Sequence, residues 1–262
     1  MPIPDGHDKC RGASILTIDL GAVQANYRYL ASLTPGAECA AVVKADAYGL
    51  GAIRVSRALE NAGCRTFFVA HLGEAIELRA ALPDAAIYCF NGLLPGEAAI
   101  FAEHRICPVL NNLGEVADWA RYSGDATAAP PAALHLDTGM SRLGLTPMEG
   151  QRLAAEPERL DGITLSVIMS HLACSYMPEH PLNARQLDAF RALTIGLPSV
   201  KRSLAASSGI FLGPSWHFDM VRPGAALYGL SPNRDKPNPM PQVINLQGKI
   251  LSVRDIATPQ TA

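Results

Sequence analysis

Ala41-Val42-Val43-Lys44-Ala45-Asp46-Ala47-Tyr48-Gly49-Leu50-Gly51 is the stretch on which the reading of this chain turns. Ala40 to Val43 is a short apolar run of the kind that forms a parallel strand buried on both faces. Lys44 follows it directly, at the strand end where α/β barrels place their chemistry. Tyr48-Gly49-Leu50-Gly51 then turns the chain toward a helix expected to start near Ala52. The glycines let the backbone turn and leave room for a ligand to approach. A lone lysine at a strand end is ordinarily solvated. To act as a nucleophile it needs a lowered pKa or a carbonyl partner.

Working outward, Ile15 to Leu20 reads as a first strand. Asp19 can cap the segment after it, in which Leu20, Val23, Tyr27 and Leu30 share one helical face. Apolar runs recur at 40–43, 66–70, 86–90, 107–110, 132–136, 163–169, 203–206 and 218–221. Helical patterns lie between them, as over 73–82 and 184–193. Strands alternating with helices predict right-handed parallel units. Eight of them close a (β/α)8 TIM-type barrel of about 250 residues. A doubly wound open sheet ranks second, because no G-x-G-x-x-G follows the first strands. Residues 1–14 read as a flexible N-terminus and 15–230 as the barrel. Residues 231–241, with Pro232, Pro237, Pro239 and Pro241, read as a stiff linker. The segment 242–262 then starts a β unit that is incomplete. Its strand, within 243–256, could also pack outside the barrel beside Ile15–Leu20.

The chain has 262 residues, 48% of them hydrophobic, with 22 basic and 24 acidic side chains and a net charge of −2. That balance argues against nucleic acid or an anionic membrane as partner. No apolar run approaches the ~20 residues of a membrane span, and the first 14 residues lack the apolar centre of a signal peptide. Six cysteines (Cys10, Cys39, Cys64, Cys89, Cys107, Cys174) contain no C-x-x-C pair. They suit reduced thiols in a cytoplasmic protein better than a disulfide frame or a zinc site. No metal site is expected.

An amine beside a glycine turn that can hold an anion, with a Tyr hydroxyl able to donate to it, suits a phosphate-bearing aldehyde. Pyridoxal 5'-phosphate (PLP) is such a group. The stretch 43–51 closely resembles the PLP-lysine signature of alanine racemases. Three further blocks match in that family's order: Leu136-Asp137-Thr138-Gly139-Met140-Ser141-Arg142-Leu143-Gly144, then Ser170-His171-Leu172-Ala173, then Val221-Arg222-Pro223-Gly224-Ala225-Ala226-Leu227-Tyr228-Gly229. The resemblance runs from about Ser14 to the end. It implies racemisation of L-alanine to D-alanine by proton abstraction at Cα, supplying D-alanine for peptidoglycan, in a cytoplasmic homodimer.

By the same resemblance Lys44 carries the PLP and, once freed, acts as a base at Cα, with proximity supplying much of the rate. Tyr48, Ser207 and the backbone of Gly224 and Ala225 are implied as phosphate contacts. Ser207 also follows a strand and precedes a helix-like stretch, a location that suits anions. Arg222 is implied to face the pyridine nitrogen. An arginine accepts no proton there, which favours racemisation over transamination. Without the flanking motif it would read as a partner of a surface carboxylate such as Asp219. His171 is implied to pack near the ring and contact that arginine. Arg142 is implied to reach the PLP hydroxyl and the carboxylate side of the substrate.

Two positions depart from the family pattern. Ala206 stands where many members have Asn, and His135 where some have a modified lysine. The second acid/base of the family is a tyrosine of its C-terminal domain, acting across the dimer, and is expected just past Thr261. Two alternatives share the barrel and the lysine: a stand-alone PLP-binding barrel with a carrier role, and a PLP decarboxylase of basic amino acids. The spelling Lys44-Ala45-Asp46-Ala47-Tyr48-Gly49 favours the racemase form.

Overall fold

A computed structural model of the chain describes residues 13–125 and 129–255. The strands are β1 (Ser14–Ile18), β2 (Glu38–Cys39), β3 (Ala41–Val42), β4 (Thr66–Val69), β5 (Ala86–Cys89), β6 (Cys107–Leu110), β7 (Ala132–His135), β8 (Leu165–Met169), β9 (Lys201–Ser203), β10 (Met220–Val221) and β11 (Ile244–Gly248). β3 to β9 form one parallel sheet in sequence order. Helices Ala52–Asn61, Leu72–Ala81, Ala98–Glu103, Leu113–Asp125, Pro147–Ala155 and Pro181–Leu193 connect successive strands.

Backbone hydrogen bonds close the ring. On one side of β10, Asp219 N donates to Arg202 O and Arg222 N to Ala205 O. On the other side Ala40 N donates to Val221 O and Val42 N to Pro223 O. β2 and β3, separated only by Ala40, act as one strand, so the ring has eight. This is the TIM-type barrel expected from the alternation of strands and helices.

Successive strand residues face opposite ways, and each strand therefore feeds two cores. Val42, Phe68, Tyr88, Val109, Ala133, Val167, Met169 and Met220 fill the barrel. Ala41, Val43, Phe67, Val69, Ile87, Leu110, Leu134, Ile168 and Val221 pack outward under the helices. The helices answer with matching stripes, such as Val55 and Leu59 on Ala52–Asn61. At the N-terminal end of the barrel, Glu38 accepts from Thr66 Oγ1 and from Lys201 Nζ, tying β2 to β4 and β9.

Several strand boundaries differ from the sequence reading. The 203–206 run forms a strand over Lys201–Ser203, because Val167 to Met169 of β8 are its ladder partners, while the Lys201 ammonium reaches out to Glu38 and Arg202 N donates to Asp219 Oδ2. Charged heads in solvent do not bar these residues from the ladder, and an apolar-run criterion misses them. The 163–169 run forms a strand over Leu165–Met169 and the 218–221 run over Met220–Val221, each with its first cross-strand hydrogen bond one residue earlier, at Thr164 and Asp219.

β1 pairs antiparallel with β11, from Ser14 opposite Gly248 to Ile18 opposite Ile244. Leu16 and Leu246 on this ribbon are exposed. The proline-rich 231–241 segment has no strand or helix, yet it is fastened to the first helix, Leu20–Ser32. Asn26 Nδ2 donates to Leu227 O and Pro241 O, and Met240 and Val243 are buried. Of the expected N-terminal tail, residues 1–12, with Cys10, lie outside the described residues, as do residues 256–262, with Thr261, whereas Ser14, assigned to that tail, already pairs in β1.

Arg79, on Leu72–Ala81, donates to five carbonyls: Leu82 O, Pro83 O, Ala85 O, His104 O and Arg105 O. Arg79→Leu strands these acceptors, several of them shielded from water. It should lower unfolding stability by about 1–3 kcal/mol, read as a lower urea midpoint with unchanged far-UV circular dichroism. An unchanged midpoint would refute this account of the corner.

Candidate active site

Strand parity builds the site. Two residues beyond the last apolar side chain inside each strand, the next inward position lies at the C-terminal mouth of the barrel. After Val42 that position is Lys44, after Ala133 it is His135, after Met169 His171, and after Met220 Arg222. All four line a cavity of about 490 Å³, together with Tyr48, Arg142, Ser207, Gly224 and Ala225. Every site residue expected from the sequence is thus brought to one place. No Asp or Glu lines the cavity among the described residues, so three cationic side chains face it unopposed and favour an anionic ligand.

The backbone after Lys44 is unusual. Ala45, Asp46, Ala47 and Tyr48 all have left-handed φ angles of 52, 53, 53 and 58°. For non-glycine residues this conformation costs roughly 1–2 kcal/mol each. Local bonds offset part of that cost: Ala47 N donates to Val43 O, Gly51 N to Asp46 O, and Ala52 N to Asp46 Oδ1 at 2.7 Å. The turn carries the Tyr48 ring to 4.7 Å from that of Tyr228, whose hydroxyl donates to Val42 O.

Opposite this turn, Ser207 Oγ accepts from Gly224 N at 3.0 Å and Ala226 N at 3.1 Å. With its oxygen so occupied, the serine hydroxyl hydrogen remains to be donated. Gly224 N is engaged by Ser207, and the residue's other contribution is its missing side chain. A Cβ there would lie 2.5 Å from Tyr48 Oη and 3.2 Å from Val42 Cβ. Tyr48, Ser207 and Gly224 therefore form a cradle that a methyl group would fill.

Arg222 is fully buried. Its guanidinium donates to Ser203 Oγ and Ser170 O and lies 6.0 Å from the Phe68 ring centroid. No pairing with Asp219 occurs, since Asp219 Oδ2 takes Arg202 N instead. Burial lowers the Arg222 pKa to about 9, which leaves it charged at neutral pH. Enclosure and the Arg222 and Arg142 charges push His171 down to about 3, and burial with Arg222 does the same to His135. Burial, then the Arg142 charge, lowers the Lys44 pKa below its ordinary value.

Asn111, absent from the sequence reading, fixes the state of His135. Its amide nitrogen donates to Phe90 O and Val109 O, which turns its oxygen toward His135 Nδ1 at 2.9 Å. His135 thus carries its proton on Nδ1 and keeps a lone pair on Nε2. Gln186 was also missed. It accepts from Ala173 N and donates to His171 O, holding the His171 loop. Asp137 Oδ1 accepts from Gly139 N, Met140 N and Ser141 N and so shapes the turn that presents Arg142. Tyr176, on the cavity rim, had no motif to mark it. Asn111 was within reach of the parity rule, since it follows Val109 by two.

A histidine held neutral when folded takes up its proton on unfolding. Below its unfolded pKa of about 6.5, and down to its folded value of about 3, the unfolded chain therefore binds more protons, and stability falls as pH falls. His135 should contribute a slope of up to about 1.4 kcal/mol per pH unit in that window. Urea unfolding between pH 7 and pH 4 should show a shallower acid decline for His135→Gln than for the unaltered chain. Parallel declines would show that His135 is not held neutral.

The family model for the alanine racemase N-terminal domain matches residues 18–232. The chain is 48% identical over 256 residues to the alanine racemase of Rhodospirillum rubrum, covering 97% of this chain and 68% of that one. It is 49% identical to the catabolic alanine racemase of Mesorhizobium japonicum over 246 residues, 93% of this chain and 64% of the relative. It thus spans about two thirds of the length of these relatives. The crystal structure of Bartonella henselae alanine racemase with covalently bound pyridoxal phosphate superposes with a TM-score of 0.88 at 42% identity, covering 92% of this chain and 67% of that one.

Proposed function

The chain belongs to the alanine racemase family, and from that premise we propose that its cavity binds PLP through Lys44 and inverts alanine at Cα. The observation that carries this reading is the meeting of a half-buried lysine, a hydroxyl-and-glycine cradle and a proton-saturated arginine in one carboxylate-free cavity. Bound PLP supplies an aldehyde that joins the amino group of alanine and acidifies its Cα proton.

This chain's own residues do the rest. Tyr48, Ser207, Gly224 and Ala225 would hold the phosphate. Arg222, pinned by Ser203 and Ser170, would offer the ring nitrogen of bound PLP a charged donor and, being fully protonated, could accept no proton from it. His171 stays neutral and packs beside it. Arg142 suits the carboxylate of alanine, because its planar fork can bind both oxygens. Lys44, its pKa lowered by burial, has more free amine at neutral pH than an exposed lysine, both to bond the aldehyde and to take the Cα proton. We further propose a homodimer that supplies D-alanine for peptidoglycan. The cytoplasm is the proposed compartment, which suits the free thiols of Cys39, Cys64, Cys89 and Cys107.

Incubation with PLP, borohydride reduction and peptide mass mapping should place the cofactor mass on the Lys44 peptide. Lys44→Ala should remove it and lower alanine racemisation, followed by polarimetry, by about 10²–10⁴-fold. Labelling that survives in Lys44→Ala would overturn the assignment. Labelling at Lys44 without any turnover would favour the carrier reading. Gly224→Ala drives a methyl group into Tyr48 Oη, must displace that hydroxyl from the cradle, and should weaken PLP binding about tenfold or more, the worth of the one well-placed hydrogen bond so lost, with the fold kept. Unchanged affinity would remove Gly224 from the cradle.

A further inference from the structure

We propose that Glu74 is a positioning residue for Lys44, clamping the left-handed turn that follows the lysine to the end of β4. The inference rests on the reading of Lys44 as the cofactor lysine and extends the site to a residue outside the cavity. Glu74 lies in the first turn of Leu72–Ala81. Its Oε2 accepts from Ala70 N at 2.8 Å and His71 N at 3.1 Å, which caps its own helix. A cap needs only that oxygen. The second, Oε1, crosses to another βα loop and accepts from Ala45 N at 2.6 Å.

Ala45 N belongs to the peptide that begins at Lys44, so this bond fixes the lysine's own backbone. It does so where four consecutive non-glycine residues occupy the left-handed region, a conformation that persists only when the surroundings over-determine it. Asp46 secures the far end of the turn through Ala52 N, and Glu74 secures the near end. The charge of Glu74 matters as well. The charged groups acting on Lys44 are Arg142, which disfavours the ammonium, and Glu74, which favours it. The third group near the lysine, His171, is neutral. Glu74 therefore opposes Arg142 from behind the turn without placing a carboxylate in the cavity.

Two variants separate the clamp from the charge. Glu74→Gln keeps an oxygen for the helix cap, but turns an amide donor toward Ala45 N–H and removes the charge. Glu74→Asp keeps charge and cap, but is one methylene too short to span both loops. Hydrogen exchange followed by mass spectrometry should show the 44–51 peptide exchanging about tenfold faster in both variants. The 107–136 region should stay as in the unaltered chain. The rate of PLP attachment to Lys44, trapped with borohydride, should fall by up to about 10²-fold, the effect of ångström-scale misplacement. Its pH profile should move to lower pH in Glu74→Gln and stay in place in Glu74→Asp.

Unaltered exchange at 44–51 and an unaltered attachment rate in both variants would overturn the proposal. So would loosening confined to the 70–82 peptide, which is what a helix cap alone predicts. If Glu74→Gln does not fold, Glu74→Asp decides the clamp. Failure of the unaltered chain to attach PLP at Lys44 would strike the proposed function, while exchange at 44–51 would still decide the clamp.

Discussion

A strand must show successive side chains to opposite faces, and in a closed ring one of those faces is the inside of the barrel. Nearly everything in this structure follows from that constraint. It splits each apolar run between an inner packing of Val42, Phe68, Val109, Val167 and Met220 and an outer layer under the helices. It also decides which residues can meet. Lys44, His135, His171 and Arg222 are far apart in sequence, on four strands or the loops just after them. Each stands at the inward position directly above an apolar residue that plugs the barrel. One step of register in any strand would send that side chain under the helices and bring an apolar neighbour to the mouth.

The cavity that results is electrostatically one-sided. A buried arginine without a carboxylate partner is costly, and Arg222 is accommodated by a serine hydroxyl, a main-chain carbonyl and the Phe68 face. Its charge, added to burial, keeps His171 and His135 neutral. The histidines therefore fill space and accept or donate hydrogen bonds without adding to the positive charge. Carboxylates that serve the site, Asp137 and Glu74, are turned toward backbone amides behind it. The chain thus concentrates positive charge where an anion would sit and keeps its own anions one layer back.

The barrel was legible because it rests on short-range pattern. Apolar runs with helical segments between them specify parallel strands and crossovers, and eight such units have few ways to close. The four motif blocks made the candidate site legible too, and the chain's membership in the alanine racemase family agrees with them. Other features were not legible. The strand boundaries at Lys201 and Leu165 depend on ladder partners, not on local hydropathy. The left-handed turn at Ala45–Tyr48 is written in residues with no local preference for it. Asn111, Gln186 and Glu74 are ordinary polar residues whose roles exist only through bonds to segments 13 to 29 residues away.

The amino-acid sequence by itself determined the period-two apolar pattern, the crossover helices, and the presence of a lysine, a serine and an arginine shortly after three of the strands. These depend on neighbours along the chain, and local sterics and hydropathy suffice to read them. Tertiary structure alone decided that Arg222 is buried on Ser203 and Ser170 instead of paired with Asp219. It alone set the tautomer of His135 through Asn111, and the grip of Glu74 on the peptide after Lys44. Each of these is a choice among competing hydrogen-bond partners. That choice is made only when ring closure brings the partners within 3 Å and excludes the water that would otherwise serve all of them equally.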